Sequence, residues 1–388
     1  MITPSIFLFA GETSGDIHGE ALIEALKKKI PMAQIYGVGG PRMRKAGMHT
    51  LMEMEKFQVM GFVDVFFALP RLMWQFFSLR RQLLKRKPDI VLLIDYPGFN
   101  LALAKSLYKK SFPGKVCQYI CPSVWAWGKK RIPKMEKILD HLFVTFPFEK
   151  ELFNSKNLQV DYVGHPLVRK ILASSSRPLD INKKYRVVGI FPGSRKKELL
   201  RNFPLQLQVA KRLLAEFPDL FFTVSVSQPS FSPLLEKLMR EVGFPDREKI
   251  LLIESSQNGA LMQRCDLSIA KSGTNNLELA LYGVPTVVTY GIGPLDLFIA
   301  KTLLRIRLPF YSIVNIIAKE KVFPELIGPH FTEDQLFTEA RRLLSSEEAR
   351  NECGKKCQKI GIILEQKSPE VEIATKLKEL LLNEQGTI

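Results

Sequence analysis

Cysteine is scarce and scattered: Cys117, Cys121, Cys265, Cys353 and Cys357 are five in 388 residues. Such spacing fits reduced thiols better than a disulfide framework. Cys353 and Cys357 would share one helix face, but no second ligand pair follows, so no metal site is expected there. Acidic residues are few, 39 against 56 basic ones, and the formal net charge is +17. That balance calls for an anionic partner: nucleic acid, an acidic membrane surface or phosphorylated substrates. The dinucleotide spacing G-x-G-x-x-G is absent from the first strand-to-helix turn, no D-x-D-like metal pair stands out, and no nucleic-acid module is recognisable. No charged n-region with an apolar h-region and cleavage site opens the chain, which predicts a cytoplasmic location. What is present suits a folded protein: 46% hydrophobic and 24% charged residues, over a length that allows two domains.

Apolar strands alternate with helices in both halves. In the first, strands are expected at 5–9, 35–38, 90–94, 116–120 and 142–144, with helices at 19–29, 71–85 and 101–110. A polar, turn-rich stretch at 174–184, SSSRPLDINKK, reads as a boundary. Strands resume at 187–191, 221–226, 250–253, 267–270 and 286–289, and residues 365–382 read as an amphipathic terminal helix. This alternation predicts an α/β protein of two Rossmann-like domains, each with a doubly wound parallel sheet, facing each other across a cleft. The expected domains are residues 1–173 and 185–364, with the terminal segment 365–388 returning to the first.

Ligands of such sheets bind at the carboxyl ends of strands. The segment IFLFAGETSGDIHG, residues 6–19, runs from a strand through Gly11, Glu12, Thr13, Ser14 and Gly15 to a helix expected near Asp16. Glycines there permit close backbone approach, and the helix start favours an anionic or hydroxyl-rich guest; a plain turn capped by Ser14 or Asp16 is the simpler alternative. In the second half, Pro192-Gly193-Ser194-Arg195 ends the first strand and offers backbone amides and a guanidinium to a phosphate. Ser272-Gly273-Thr274 ends a later strand and leads into a helix suited to a diphosphate, with Glu278 one turn in for ribose hydroxyls.

These motifs, in their order, resemble those of the bacterial lipid-A-disaccharide synthases. The resemblance spans nearly the whole chain: GETSGDIHG at 11–19, GVGGPRM at 37–43, IDYPGFN at 94–100 and PSVWAW at 122–127. It continues with PFEK at 147–150, VGHP at 163–166, PGSR at 192–195, SGT at 272–274 with Glu278, and VFPEL at 322–326. GETSGD together with PSVWAW is a specific combination. The resemblance implies an inverting glycosyltransferase of the GT-B architecture, acting without a cofactor or metal. Its substrates would be UDP-2,3-diacylglucosamine and 2,3-diacylglucosamine 1-phosphate, and its products the β-1′,6-linked disaccharide 1-phosphate and UDP. Inverting transfer needs a base for the acceptor 6-hydroxyl and positive groups for departing UDP. The preferred base is Asp95, delivered by the strand IVLLI to the sheet edge, with Glu12, Asp16 and His18 as the alternatives. The UDP-sugar contacts expected are Ser14, Gly193, Ser194, Arg195, Ser272, Gly273, Thr274, Glu278 and Asn315. The chain departs from the family pattern at Lys271, Asn275-Asn276, Gly128 and Val314.

Residues 59–87 combine aromatic and apolar side chains with a basic end that no acid interrupts. Asp64, Pro70 and Arg71 break the run, so it fails as a transmembrane helix, which needs ~20 predominantly apolar residues. An apolar face beside a basic cluster suits a segment lying in the headgroups of an anionic leaflet, with Phe66, Phe67, Leu69, Met73, Trp74 and Phe77 as contacts. The expected location is therefore peripheral, on the cytoplasmic face of the inner membrane; an ordinary core helix is the alternative. A second basic region, with Lys129, Lys130, Arg131, Lys134 and Lys137, suits either the acceptor phosphate or the same surface. Two other functions compete. A peptidoglycan N-acetylglucosaminyltransferase would carry a G-x-G-G-H loop after the first strand, which GETSGD lacks, and a nucleic-acid binder would carry aromatic-basic strand motifs, so no nucleic acid is expected.

Overall fold

The computed structural model describes residues 3–57, 62–172, 177–244, 247–293, 308–364 and 367–385; side chains at 62–68, 127, 172, 247 and 383–385 are not described. The chain divides into two units, Met1–Pro166 with Gln366–Ile388, and Leu167–Glu365.

The first unit is built on seven parallel strands: β1 (Ser5–Ala10), β2 (Gln34–Gly39), β3 (His49–Glu53), β4 (Ile90–Ile94), β5 (Lys115–Tyr119), β6 (His141–Val144) and β7 (Gln159–Tyr162). Their order is β3-β2-β1-β4-β5-β6-β7. The central runs are continuous apolar stretches because helices cover both sheet faces; all five residues of β4 are buried. Helix α1 (Thr13–Lys29) follows β1, α2 (Pro41–Lys45) follows β2, α3 (Phe62–Arg86) precedes β4 and α4 (Pro97–Tyr108) follows it. The terminal helix Pro369–Gln385 packs on α1, burying Ile373, Ala374 and Leu377 against Leu22, Ile23 and Leu26. Each fully buried Leu or Ile of that contact is worth roughly 1.5–3 kcal/mol.

The second unit carries six parallel strands: β8 (Arg186–Phe191), β9 (Leu220–Val226), β10 (Ile250–Glu254), β11 (Leu267–Lys271), β12 (Thr286–Tyr290) and β13 (Glu325–Ile327). They lie in the order β10-β9-β8-β11-β12-β13. In both sheets the strand order reverses beside the unit's first strand, between β1 and β4 and between β8 and β11. Ligands of doubly wound sheets bind at that reversal.

Three strands escape sequence inspection, β3, β7 and β13. All are short edge strands with largely half-exposed side chains, so neither an apolar run nor clean alternation marks them. Helix α1 begins earlier than expected: Glu12 is its N-cap residue, so neither Ser14 nor Asp16 caps it. Helix α3 runs through Pro70 and spans 25 residues, where the sequence suggested a start at Arg71. No helix among the described residues is long and apolar enough to cross a membrane.

Candidate functional site

In the first unit the reversal brings the end of β1 beside the end of β4. Ala10 pairs with Ile94, so the turn starting at Gly11 lies next to Asp95. Gly11 is required by packing, since a Cβ there would sit 2.8 Å from the Tyr96 ring. Ser14 Oγ donates to Asp95 Oδ2 at 3.1 Å. Glu12 hydrogen-bonds Asp95 and is held toward its protonated form, by burial first and then by the Asp95 charge. His18 lies against the Tyr119 ring with centroids 5.8 Å apart. Burial depresses its basicity more than the nearby Asp95 charge restores it, so its ring favours the neutral form. Glu12, Ser14, His18 and Asp95 thus form one cluster at one strand end.

Asp16 does not belong to it. Its side chain is buried and accepts from three backbone N–H groups, Gly40 at 2.8 Å, Arg42 at 3.1 Å and Met43 at 3.0 Å. It therefore caps the start of α2 and is occupied as a structural acceptor, which corrects its place among the candidate bases.

Three further motifs converge nearby. Glu149 of PFEK accepts from its own Phe146 N–H at 3.1 Å and from the Trp125 side chain of PSVWAW. Burial pushes its carboxyl up to about 8 despite those bonds. The Phe146 ring lies 4.9 Å from that of His165 in VGHP, whose basicity burial and neighbouring His18 push down to about 4.

In the second unit, the ends of β8 and β11 enclose a cavity of about 170 Å³ lined by Gly193, Ser194, Glu198, Lys271, Gly273 and Thr274, and by Ser225, Ser227, Ser255 and Asn258 on the β9–β10 side. It is smaller than the ~300–1,000 Å³ pockets that enclose whole drug-sized ligands. Glu198 organises it, taking the Ser194 N–H at 2.9 Å, Arg195 Nη1 at 3.1 Å and Lys271 Nζ at 3.1 Å. Burial alone would raise the Glu198 carboxyl, but that N–H and the two cations outweigh it and hold the group ionised. Gly193 has φ +129°, and a Cβ there would lie 2.7 Å from the Glu198 side chain. Arg195 is 79% exposed and its guanidinium reaches outward from the loop. Buried Asn202 braces the loop, donating to Glu198 O at 2.7 Å and accepting Gly291 N–H at 2.8 Å. Glu278 is half-buried one turn into the next helix; burial raises its carboxyl and Lys170 partly offsets this.

Asn315 differs from its expected role. Its side chain is fully buried, donating to Phe323 O and Glu325 Oε1, each at 2.8 Å, and accepting from Val322 and Phe323 N–H at 2.9 Å. Glu325 in turn accepts Ser312 N–H at 2.7 Å, so Asn315 and Glu325 fasten the VFPEL segment to the helix Ile313–Ala318. Asn315 offers no side-chain group to a ligand in this arrangement.

On α3, Leu72, Phe76, Leu79 and Leu83 pack into the core of the first unit. Leu69, Met73, Trp74 and Phe77 are exposed, Trp74 by 68%. The spacing of 69, 73 and 77 puts them on one helical face. The Arg80 guanidinium stands 5.0 Å over the Phe77 ring. The side chains of Phe66 and Phe67 lie outside the described residues.

Glu198, Asn202 and the serines after β9 and β10 were not legible as site residues. Only the strand order could have signalled them, since each sits at a strand end or on the helix behind one.

Comparison with known proteins gives one consistent grouping. The family model described as lipid-A-disaccharide synthetase matches residues 6–377. The chain is 38% identical over 363 residues to the lipid-A-disaccharide synthase of Chlamydia pneumoniae, covering 91% of this chain and 59% of that protein. It is 35% identical over 348 residues to that of Geobacter sulfurreducens, with 87% of each chain covered. The chain spans only about half to three-fifths of the length of the chlamydial relatives it matches. Among solved structures, a UDP-N-acetylglucosamine 2-epimerase from Listeria monocytogenes, described as putative, superposes with a TM-score of 0.63 at 12% identity, covering 100% of this chain and 97% of that one. The glycotransferase of kitacinnamycin gives 0.61 at 10% identity, covering 97% and 98%. At such identities these structures speak for the fold alone.

Proposed function

From the premise that this chain belongs to the lipid-A-disaccharide synthetase family, we propose that it transfers 2,3-diacylglucosamine from UDP-2,3-diacylglucosamine to 2,3-diacylglucosamine 1-phosphate. The products are the β-1′,6-linked disaccharide 1-phosphate and UDP, with inversion at the anomeric carbon. Asp95 takes the proton of the acceptor 6-hydroxyl as that oxygen attacks the anomeric carbon and the bond to UDP breaks. Ser14 orients the Asp95 carboxylate, and Glu12 beside it is held toward its protonated form by burial and by the Asp95 charge. His18 remains a secondary candidate for the base. In the second unit, Ser194, Lys271, Gly273 and Thr274 line the cavity that takes the donor diphosphate, and Lys271, with Arg195 of the same loop as Ser194, offsets the charge on departing UDP. Glu278 takes ribose hydroxyls. Lys134, whose ammonium is depressed by burial and by Lys105 and Arg131, marks a basic spot for the acceptor phosphate. The exposed face of α3 lies in the headgroups of an anionic leaflet, making the protein peripheral to the cytoplasmic side of the inner membrane.

The observation that carries this reading is the chemistry at the two strand reversals, an oriented carboxylate in one unit and, in the other, a cavity lined by Ser194, Lys271, Gly273 and Thr274. The test supplies both lipids in detergent micelles and follows products by mass spectrometry. Disaccharide 1-phosphate and UDP are expected. Asp95→Asn should lose turnover by orders of magnitude with UDP affinity nearly intact. Absence of product, alongside turnover of UDP-N-acetylglucosamine, would refute the lipid substrates.

A further inference from the structure

Three residues without the freedom of glycine adopt positive φ where β4 and β5 end: Asp95 at 52°, Tyr96 at 46° and Ile120 at 71°. A β-branched residue such as Ile120 is a genuine outlier there. Such backbone persists only where surrounding structure over-determines it, and it concentrates at functional sites. Here the surroundings are two buried amides. Gln118 is fully buried, and its Nε2 donates to the carbonyls of Asp95 at 3.1 Å, Tyr119 at 3.1 Å and Ile120 at 3.2 Å. Asn100, equally buried, donates to the same Asp95 carbonyl from the first turn of α4. The oxygens of both amides have no hydrogen-bond partner among the described residues. Both side chains are thus committed to gathering carbonyls, at the cost of leaving their own acceptors unpaired.

We propose that Gln118 and Asn100 are positioning residues: they hold the left-handed turn at Asp95 and Tyr96 and so aim the Asp95 carboxylate at Ser14 and the acceptor hydroxyl. Neither side chain touches substrate; each acts through the Asp95 backbone. An extended backbone at Asp95 would carry its carboxylate off the sheet edge, because side-chain direction follows φ and ψ. The inference rests on the reading of Asp95 as the base.

The test compares Gln118→Met, which keeps the volume and removes the donors, with Asp95→Asn. For Gln118→Met the expected result is a kcat lower by about tenfold or more. KM values and UDP affinity should stay within about threefold of wild type, the melting temperature should fall by no more than a few degrees as the Ile120 carbonyl loses its donor, and the acid limb of the pH–rate profile should move. A kcat within about twofold of wild type, with Asp95→Asn inactive, overturns the inference and leaves the base reading intact. Parallel losses of kcat, UDP affinity and melting temperature overturn it too, because they mark a merely structural role. If Asp95→Asn turns over normally, the base reading itself fails. Should Gln118→Met not fold, Asn100→Ser removes the other donor to the Asp95 carbonyl and faces the same criteria.

Discussion

The Glu149 carboxyl should contribute stability to the first unit that is lost as the pH rises. The side chain is 2% exposed, and burial pushes its carboxyl from 4.5 up to about 8. Below pH 4.5 folded and unfolded chains both hold this proton and the contribution is complete. Between 4.5 and 8 the unfolded chain releases the proton and the folded one holds it, so this contribution falls by about 1.4 kcal/mol per pH unit. Above the folded value both states are ionised and the loss levels off. Glu149→Gln keeps the shape and a neutral acceptor for the Phe146 N–H, so the Glu149 part of the pH slope should vanish while the parts from other groups stay. Urea unfolding at pH 5, 6.5 and 8 provides the assay. Emission is a clean probe because all three tryptophans, Trp74, Trp125 and Trp127, belong to the first unit, and the two units need not unfold together. The variant should match wild type at pH 5 and exceed it by several kcal/mol at pH 8, on the order expected from that slope. Equal pH slopes in the two proteins, or a variant weaker at pH 8, would refute the reasoning.

Other substitutions separate structural from chemical roles. Asp16→Ala strands three N–H groups and should cost the first unit about 3 kcal/mol in urea unfolding; a loss under about 0.5 kcal/mol would make Asp16 an ordinary surface residue. Gly193→Ala forces a Cβ against Glu198 at a positive φ, so calorimetry should find UDP bound about tenfold more weakly or worse; an unchanged Kd would remove this loop from the donor site. Trp74→Glu combined with Phe77→Glu should release the protein from anionic vesicles in a sedimentation assay, while unaltered binding would assign the exposed face of α3 to something else.

Much of the architecture was legible because parallel strands buried on both faces must be apolar throughout. SIFLFA, IVLLI and RVVGIF announce themselves in this way, and the alternation of strands with helices restricts the topology to doubly wound sheets. Edge strands such as Gln159–Tyr162 carry no comparable demand and do not stand out in the sequence. On helix α3 the sequence reading names Leu69, Met73, Trp74 and Phe77 as outward contacts, and these four are exposed, whereas packing alone showed that Leu79 and Leu83 fill the core on the other face.

Site chemistry divides along the same line. Residue types and motif order alone identified a turn rich in acids after the first strand, an arginine loop after the eighth, and the family that uses them. They ranked Asp95 ahead of Asp16 but gave no physical ground for setting Asp16 aside. That distinction rests on three N–H groups from residues 40–43, far along the chain, which reach one carboxylate and leave the other beside Ser14. Nor could they foresee that Glu198 gathers Arg195 and Lys271, or that Asn315 is consumed by its own loop. A carboxylate or an amide has the same composition wherever it stands. Whether it serves as base, cap or brace depends on which donors, charges and solvent surround it, and those neighbours are assembled only when the strands take their order.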